Sequence, residues 1–334
     1  MTPLRRRGPL DRALSFRTGL ALAAGAPPAV LTVLLVFLTA YAWPAIGFNG
    51  PGFLSGLDWN TGNLYLDPVR QGALMVQPGA HYGILDLIVG TLASTLVAVA
   101  LALPVGVAAA VFLAEAVPGT IRTFVSFFVE LLAAIPSVVY GLWGVVVLIP
   151  LLGRWVFPVM ASRLGWLPFF NGEPGSGYGL LTAGLVLSLM IVPLITATVR
   201  DAILAQPAAL RESAVALGAT RFETVWKVVL PGINRVTVGA TILATGRALG
   251  ETMAVLMVSG NAQGALPGNI YSPISTMAAF IASQLDSALG DPSGLAVESL
   301  AEIAIVLAAM SLIVNTLARL LLAAVGALRP AGAR

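Results

Sequence analysis

Long apolar runs separated by short polar stretches dominate the hydrophobic pattern of this chain. An α-helix rises about 1.5 Å per residue, so roughly 20 apolar residues are needed to cross a hydrocarbon core about 30 Å thick. Runs of that length lie at residues 20–43, 84–114, 124–152, 178–199, 236–260 and 296–326. The pattern predicts an all-α, polytopic membrane protein with six transmembrane helices.

Basic residues are distributed unevenly between the polar segments. If the N-terminus is inside, 14 of the 18 lysines and arginines lie on the inner face, and Arg70, Arg154 and Arg163 lie on the outer face. The remaining one, Arg247, lies within the fifth run. Because cytoplasmic loops of membrane proteins carry an excess of Lys and Arg, the asymmetry predicts an N-in, C-in orientation.

This topology divides the chain into a series of segments. They are a basic cytoplasmic tail (1–19), a first transmembrane helix (20–43), an external segment (44–83), a main membrane domain (84–326) with an inner loop (200–235), and a cytoplasmic tail (327–334). Further external stretches are expected at 153–177 and 261–298.

The first apolar run has an alternative interpretation. Five arginines precede it, and Ala40-Tyr41-Ala42 resembles the A-x-A cleavage site of a signal peptide. Its apolar stretch is longer than the usual 7–15 residues of such peptides, which favours a retained signal anchor.

Composition agrees with a membrane protein and excludes several kinds of site. The chain is 58% hydrophobic and 10% charged, with a mean hydropathy of +0.92, whereas soluble domains are about one quarter charged. It has no cysteine and a single histidine, His81, so it has no disulfide framework, no thiolate metal site and little scope for histidine catalysis.

Three charged residues inside the apolar runs are candidates for a transport pathway. Arg247 is expected near mid-bilayer, where an arginine costs about 2.5–3.5 kcal/mol on insertion scales and should face a cavity or a partner. Glu251 follows four residues later and is therefore expected on the same face of the helix, so the two could also simply neutralise each other. Glu130 precedes Pro136, which is expected to kink the third run, and is predicted to line a pathway or to pair with Arg247.

Small and hydroxyl-bearing residues accompany these charges. Thr91 and Ser94 share a polar face of the second run, and Ser137 follows the expected kink, so all three are candidate pathway residues; interhelical hydrogen bonding is the alternative for the first two. Rows of small residues in the fifth run predict close helix packing, and Asn315 in the sixth run is predicted to bond between helices. The rows consist of Ala240, Ala244 and Ala248, and of Gly246 and Gly250.

The inner loop 200–235 reads as two helices with a break. Leu210, Ala214 and Leu217 form one apolar stripe, and Gly218 is positioned as a C-terminal stop. Residues 220–223, with sequence TRFE, form a capping-box pattern that opens a second helix, which Pro231 is expected to end.

The same loop resembles the EAA loop of ABC-importer permeases, which has the form EAA-x3-G-x9-I-x-L-P. The motif positions are occupied by Glu212, Ser213, Ala214, Gly218, Val228, Leu230 and Pro231. Ser213 and Val228 are conservative departures from the motif, and the other five residues match it. The resemblance implies a type I (MetI-like) importer transmembrane domain whose loop forms coupling helices seated in a groove of a separate ATPase.

Two further stretches resemble the permeases of phosphate-specific importers. They are RALGETMAVLMVSGN from Arg247 and ELLAAIPSVVYGLWG from Glu130, and the GETMAV continuation is similar to the PstC type rather than its PstA sister. The stretch YGILDLIVGTLASTL from Tyr82 is also similar, although Asp86 stands where that family usually has proline, and Gln284 replaces a commonly acidic position.

The resemblance implies a permease subunit of the bacterial inner membrane that moves phosphate and has no catalytic role. Its implied partners are a PstA-like sister permease, a PstB-like ATPase dimer, a PstS-like external binding protein and membrane lipid, with no nucleic acid. No cofactor is expected in this chain, since ATP and Mg²⁺ would bind to the ATPase. The sequence agrees, because its only lysine, Lys227, is followed by Val228 and lacks the glycine-rich loop of a Walker A motif.

Other functions remain open at this point. A permease for molybdate or sulfate is the nearest alternative. An ATP-independent channel or secondary transporter could use Arg247 and Glu251 as an ion site, but would not require the loop at 200–235. A membrane enzyme would need a catalytic constellation that one histidine and no cysteine do not supply.

Overall fold

The computed structural model describes residues 9–72 and 74–327, and in that part of the chain six helical stretches are long and apolar enough to cross a membrane. They are Leu20–Asn49, Leu85–Ala116, Ser137–Leu164, Leu180–Leu204, Arg221–Leu249 and Leu295–Leu320, called spans one to six. The prediction of an all-α membrane protein with six transmembrane helices is confirmed.

The individual elements are numbered in chain order. The α-helices are α1 (Pro9–Asn49), α2 (Gly52–Ser55), α3 (Leu85–Val111), α4 (Gly119–Ala134), α5 (Ser137–Trp143), α6 (Ile149–Leu151), α7 (Phe157–Leu164), α8 (Leu180–Leu204), α9 (Ala208–Ala216), α10 (Arg221–Thr224), α11 (Leu230–Leu249), α12 (Met253–Val258), α13 (Met277–Leu289) and α14 (Leu295–Ala327). Four π-helical turns, Phe112–Ala116, Gly144–Leu148, Leu152–Val156 and Val225–Val229, lie within or at the ends of spans. Two short antiparallel pairs join β1 (Trp59–Asn60) to β4 (His81–Tyr82), and β2 (Val69–Gln71) to β3 (Leu74–Val76).

The third span is not the continuous helix predicted at 124–152. Helix α4 ends at Ala134, Ile135 takes an extended conformation with ψ 130°, and a new helix begins at Ser137 after Pro136. The proline ring disfavours the α conformation of the preceding residue, so the helix is interrupted here instead of being kinked. Span three therefore begins at Ser137 and continues to Leu164, further than the sequence indicated.

The fifth span also differs from the prediction of 236–260. The helix begins at Arg221, inside the expected loop, and ends at Leu249. Pro231 does not end a helix: it occupies the first turn of α11, directly after the π-helical turn Val225–Val229. A π-helical turn changes the local hydrogen-bond pattern, and this one accommodates the missing N–H of the proline within a continuous helix.

The main core lies where α3, α8 and α11 pack together. The predicted row of small residues on α11 is part of it, because Ala240, Ala244 and Ala248 are all buried. Gly246, from the second predicted row, faces α14, since a β-carbon added there would lie 3.6 Å from Nδ2 of Asn315, an ordinary packing distance. The buried Oδ1 of Asn315 has no hydrogen-bond partner among the described residues.

A second core lies at the opposite end of the molecule from α9. The ring of Trp59 packs edge-on against Tyr82 and Phe280, with centroid distances of 4.6 and 5.0 Å. Phe280 belongs to α13, a helix within the external stretch that the sequence predicted at 261–298. This core fixes the strands and α13 against the ends of α3 and α14.

Close contact between α3 and the segment before α13 gives a stability prediction. A β-carbon at Gly90 would collide with the carbonyl oxygen of Ser275, whereas one at Gly25 would meet no atom within 4 Å. Gly90→Ala should therefore destabilise the protein by about 1–3 kcal/mol through overpacking. Thermal unfolding in detergent should show a lower Tm for Gly90→Ala and no decrease for the control Gly25→Ala; equal Tm values would contradict the close approach.

Candidate functional site

Arg247 lies in the last turn of α11, with its side chain exposed in the isolated chain. The helix ends two residues later, at Leu249. Among the described residues no carboxylate lies within 4.0 Å of its guanidinium. An unpaired cation in an apolar span is costly, so Arg247 is available to a partner outside this chain.

Glu251 does not lie on the same helical face as Arg247, contrary to the prediction. Residues 250–252 are not helical, and α12 begins at Met253. The Glu251 carboxylate instead accepts a weak hydrogen bond of 3.4 Å from the N–H of Ala254, in the first turn of α12. The two side chains therefore do not neutralise each other here, although both lie at the same break in the fifth span.

A second break, between α4 and α5, lies close to the first. Tyr140 in α5 is within electrostatic range of Arg247, and its hydroxyl donates to the carbonyl oxygen of Leu132 in α4 at 2.9 Å. Helices α5 and α12 are in contact, since a β-carbon on Gly141 would lie 3.0 Å from the Cα of Ala254. Broken membrane helices whose N-termini point towards a site favour anions there.

Glu130 is not placed beside Arg247. Its carboxylate accepts a hydrogen bond of 3.1 Å from Arg200 near the end of α8, and Arg200 also contacts Asp201 at 2.7 Å. The side chain of Arg200 is only 8% exposed, and that of Glu130 is 59% exposed. The prediction that Glu130 pairs with Arg247 is wrong in this structure. Glu130 lies on α4, before the interruption of the helix at residues 135–136, and its ion-pair partner is Arg200.

The hydroxyl residues predicted to line a pathway lie in different environments. Thr91 and Ser94 are buried, and each donates to a carbonyl one turn earlier in α3 at 2.7 Å. Thr91 also accepts from the N–H of Met277 at 3.0 Å, which is the interhelical bonding that was the alternative. Ser137, by contrast, is half-buried at the start of α5, where the third span breaks.

The loop at 200–235 forms the break predicted from its sequence. Gly218 ends α9 in the left-handed region, with φ +85°. The N–H of Ala219 bonds to the carbonyl of Ala214 at 3.1 Å, and that of Gly218 bonds to Val215 at 2.9 Å, which is a Schellman motif. Thr220 and Glu223 complete the predicted capping box at the start of α10.

The residues of the predicted apolar stripe differ in burial. Ala214 is buried, whereas Leu217 is 89% exposed. Phe222 and Trp226 stack on each other, with centroids 6.3 Å apart, and both are exposed. We call Leu217, Phe222 and Trp226 the apolar tip.

The other residues of the loop motif take up distinct positions. Glu212 and Ser213 are exposed on α9, while Leu230 and Pro231 are half-buried at the start of α11. Among the described residues Glu212 makes no ion pair. Its carboxylate is therefore available for contact with another chain.

Comparison with known proteins agrees with this geometry. Residues 102–327 match the family described as binding-protein-dependent transport system inner membrane component. The chain belongs to this permease family. It is accordingly a multi-pass inner-membrane protein.

Relatives within the family carry more specific names. The chain is 45% identical over 281 residues to the phosphate transport system permease protein PstC 1 of Mycobacterium tuberculosis, covering 83% of both chains. It is 39% identical to PstC of Pasteurella multocida, covering 88% of this chain and 86% of that one. A probable PstC of Methanocaldococcus jannaschii is 32% identical, with 78% and 81% covered.

A solved structure supports the fold. A chain of a bacterial alginate ABC transporter, in complex with its periplasmic protein, matches with a TM-score of 0.55 at 16% identity. The match covers 91% of this chain and 94% of that chain. The permease thus has the transmembrane fold of type I ABC importers, as the loop resemblance implied.

Sequence reasoning missed three features of the site. Arg200 was counted only as a loop charge, although it holds Glu130. Tyr140 was not singled out, because nothing in the sequence indicates that it approaches Arg247. The break before α12 could have been inferred from Gly250 and Thr252, since glycine followed by a residue that caps helices often separates two helices.

Proposed function

We propose that this chain is the membrane-spanning subunit of an ATP-driven importer of inorganic phosphate. The observation that carries the proposal is Arg247: it is the basic residue of the fifth apolar run, it lies where the fifth span breaks, and no acidic residue described in the structure forms an ion pair with it. The names of the PstC relatives supply the substrate.

The complete importer requires other chains. We infer a PstA-like sister permease, a homodimeric PstB-like ATPase that binds ATP and Mg²⁺, and an external PstS-like binding protein. In this assembly the permease itself performs no catalysis. The exposed Glu212 and the apolar tip support α9 and α10 as the elements that enter a groove of the ATPase.

Transport then follows from the mechanics of the fold. ATP binding to the ATPase would move the coupling helices and switch the permease from outward-facing to inward-facing. Phosphate released by the binding protein would meet the guanidinium of Arg247, whose planar fork suits bidentate contact with an oxyanion. Ser137 and Glu251, at the two breaks, would contact the passing ion.

The direct test is reconstitution of all four kinds of chain in proteoliposomes. We expect uptake of radiolabelled phosphate that requires ATP on the ATPase side and binding protein on the other side. Excess unlabelled phosphate should compete, while sulfate and molybdate should not. Competition by molybdate or sulfate alone would assign a different oxyanion, and uptake without the ATPase would identify a channel or secondary transporter.

Glu251 supplies a prediction about selectivity. Monoprotonated phosphate can donate a hydrogen bond to this carboxylate, whereas fully deprotonated sulfate cannot. A hydrogen bond to a charged group contributes about 1.5–3 kcal/mol, so Glu251→Gln should lower phosphate uptake roughly 10- to 100-fold. ATPase copurification should be unchanged for Glu251→Gln, and Glu173→Gln, on an exposed external turn, is the control for uptake. Parallel loss of docking and uptake would make Glu251 structural.

A further inference from the structure

One guanidinium group joins α9 to the ends of two transmembrane helices. Arg211 donates from Nη2 to the carbonyl oxygen of Ile203 at 2.8 Å and from Nη1 to that of Gln206 at 3.4 Å. Its Nε donates to Oε1 of Glu115 at 3.0 Å, and its Nη2 lies 2.9 Å from the same oxygen. We call the contacts of Arg211 with Glu115 and Ile203 the clasp.

Both partners of Arg211 lie at the end of a span. Ile203 is one residue from the end of α8, where its carbonyl also accepts from the N–H of Gln206 at 3.3 Å, and a cation there complements the helix dipole. Glu115 lies in the π-helical turn Phe112–Ala116 that ends span two. π-helical turns are rare and frequently occur at functional sites, and this one brings Glu115 to Arg211.

The clasp differs from the ion pair between Lys227 and Glu223 in the same loop. Lys227 and Glu223 are four residues apart on one continuous helix, and their side chains are 69% and 40% exposed, so that pair connects no separate elements. Arg211 and Glu115 are only 24% and 26% exposed and are 96 residues apart in the chain. Among the ion pairs of the described residues, only Arg211–Glu115 links α9 to a transmembrane helix.

Without the clasp, no ion pair of the described residues would join α9 to span two or span four, and the chain itself links α9 to span four through the short connector 205–207. That connector is fixed to span five by Gln206, whose side chain donates at 3.0 Å to the carbonyl of Val229 in the π-helical turn before α11, but this bond does not involve span two. A displacement of α9 would then reach span two only through general packing. The clasp supplies the direct connection.

We propose that the clasp transmits the movement of α9 to spans two and four, with Arg211 and Glu115 as positioning residues for transport. The proposal rests on the proposed function, since it assumes that an ATPase displaces α9. It assigns to Arg211 a role separate from ATPase docking, because its guanidinium bonds to Glu115, Ile203 and Gln206 of the permease itself.

The experiment uses the complete importer in proteoliposomes and measures three quantities: ATPase copurification, ATP hydrolysis stimulated by loaded binding protein, and phosphate transported per ATP hydrolysed. For Arg211→Gln we expect wild-type copurification and at least a tenfold fall in phosphate per ATP. Arg211→Lys keeps the charge but loses the fork, so it should be intermediate. Glu115→Gln should resemble Arg211→Gln, and the double variant should be no worse than the more severe single variant.

Arg235→Gln is the matched control, because Arg235 is an exposed arginine of the same region and makes no ion pair among the described residues. It should transport the wild-type amount of phosphate per ATP. A wild-type ratio for Arg211→Gln would overturn the clasp proposal, as would loss of the ATPase from that variant, which would show docking instead of transmission. If the wild-type importer itself takes up no phosphate, the proposed function is wrong. That result is distinguishable from the two Arg211→Gln results, which are measured against a wild-type importer that does transport phosphate.

Discussion

Arg247→Gln is expected to abolish phosphate uptake while the importer still assembles. Glutamine keeps a similar length and polarity but removes the only positively charged side chain of the fifth apolar run, residues 236–260. Because Arg247 makes no ion pair among the described residues, its loss leaves no buried carboxylate unpaired, and the fold should survive. Uptake in proteoliposomes should fall to background, with ATPase copurification unchanged.

Two further variants separate charge from geometry. Arg247→Lys should retain partial uptake, since an ammonium group keeps the charge but cannot form the planar, bidentate contact of a guanidinium. Arg154→Gln removes an exposed arginine from the C-terminal half of span three and serves as the control, with uptake near wild type. Wild-type uptake by an assembled Arg247→Gln importer would remove Arg247 from the transport path.

Sequence patterns predicted the number of spans because a run of about 20 apolar residues has few alternatives to a membrane helix. They predicted the end of α9 for a similar reason: glycine at this position permits the left-handed conformation that stops a helix, and Gly218 adopts it. The capping box of Thr220 and Glu223 is equally local, and both of its hydrogen bonds are present. Local chemistry alone was sufficient for these features.

The predicted effects of two prolines were wrong, because the effect of a proline on a helix depends on the conformation of the residues before it. Pro136 was expected to kink a helix and Pro231 to end one. In the structure a helix is interrupted at Pro136, whereas Pro231 lies inside a continuous helix. The difference lies in what precedes each proline: Ile135 is extended, whereas a π-helical turn precedes Pro231. Hydropathy does not contain this information.

The charged pairs depended on tertiary structure, so their partners were not predictable from spacing. Glu251 is four residues from Arg247, but that spacing implies contact only within a helix, and the helix ends at Leu249. The two long-range pairs that do form, Glu130 with Arg200 and Glu115 with Arg211, join residues 70 and 96 positions apart. Such pairs follow from helix packing, which a single sequence does not reveal.

The second large effect is expected at Gly218, between α9 and α10. With φ +85° the residue lies in the left-handed region, where a β-branched side chain costs at least about 1 kcal/mol. No atom lies within 4 Å of a β-carbon built at this position, so the cost of Gly218→Val comes from the backbone and not from a clash. The backbone can relieve it only by changing the angle between α9 and α10, which would displace Leu217 relative to Phe222 and Trp226.

Gly218→Val should therefore remain in the membrane with its sister permease but lose the ATPase, or lose stimulation of ATP hydrolysis by loaded binding protein. Gly218→Asn is the matched control, because asparagine tolerates the left-handed conformation and should preserve docking. Glu212→Ala keeps the backbone and removes only an exposed carboxylate, so it should act in the same direction more weakly. These expectations are checked by pull-down of the ATPase together with its stimulated activity. If Gly218→Val matches Gly218→Asn and wild type in both measurements, the shape of this turn does not determine coupling, and α9 and α10 are not the elements that the ATPase grips.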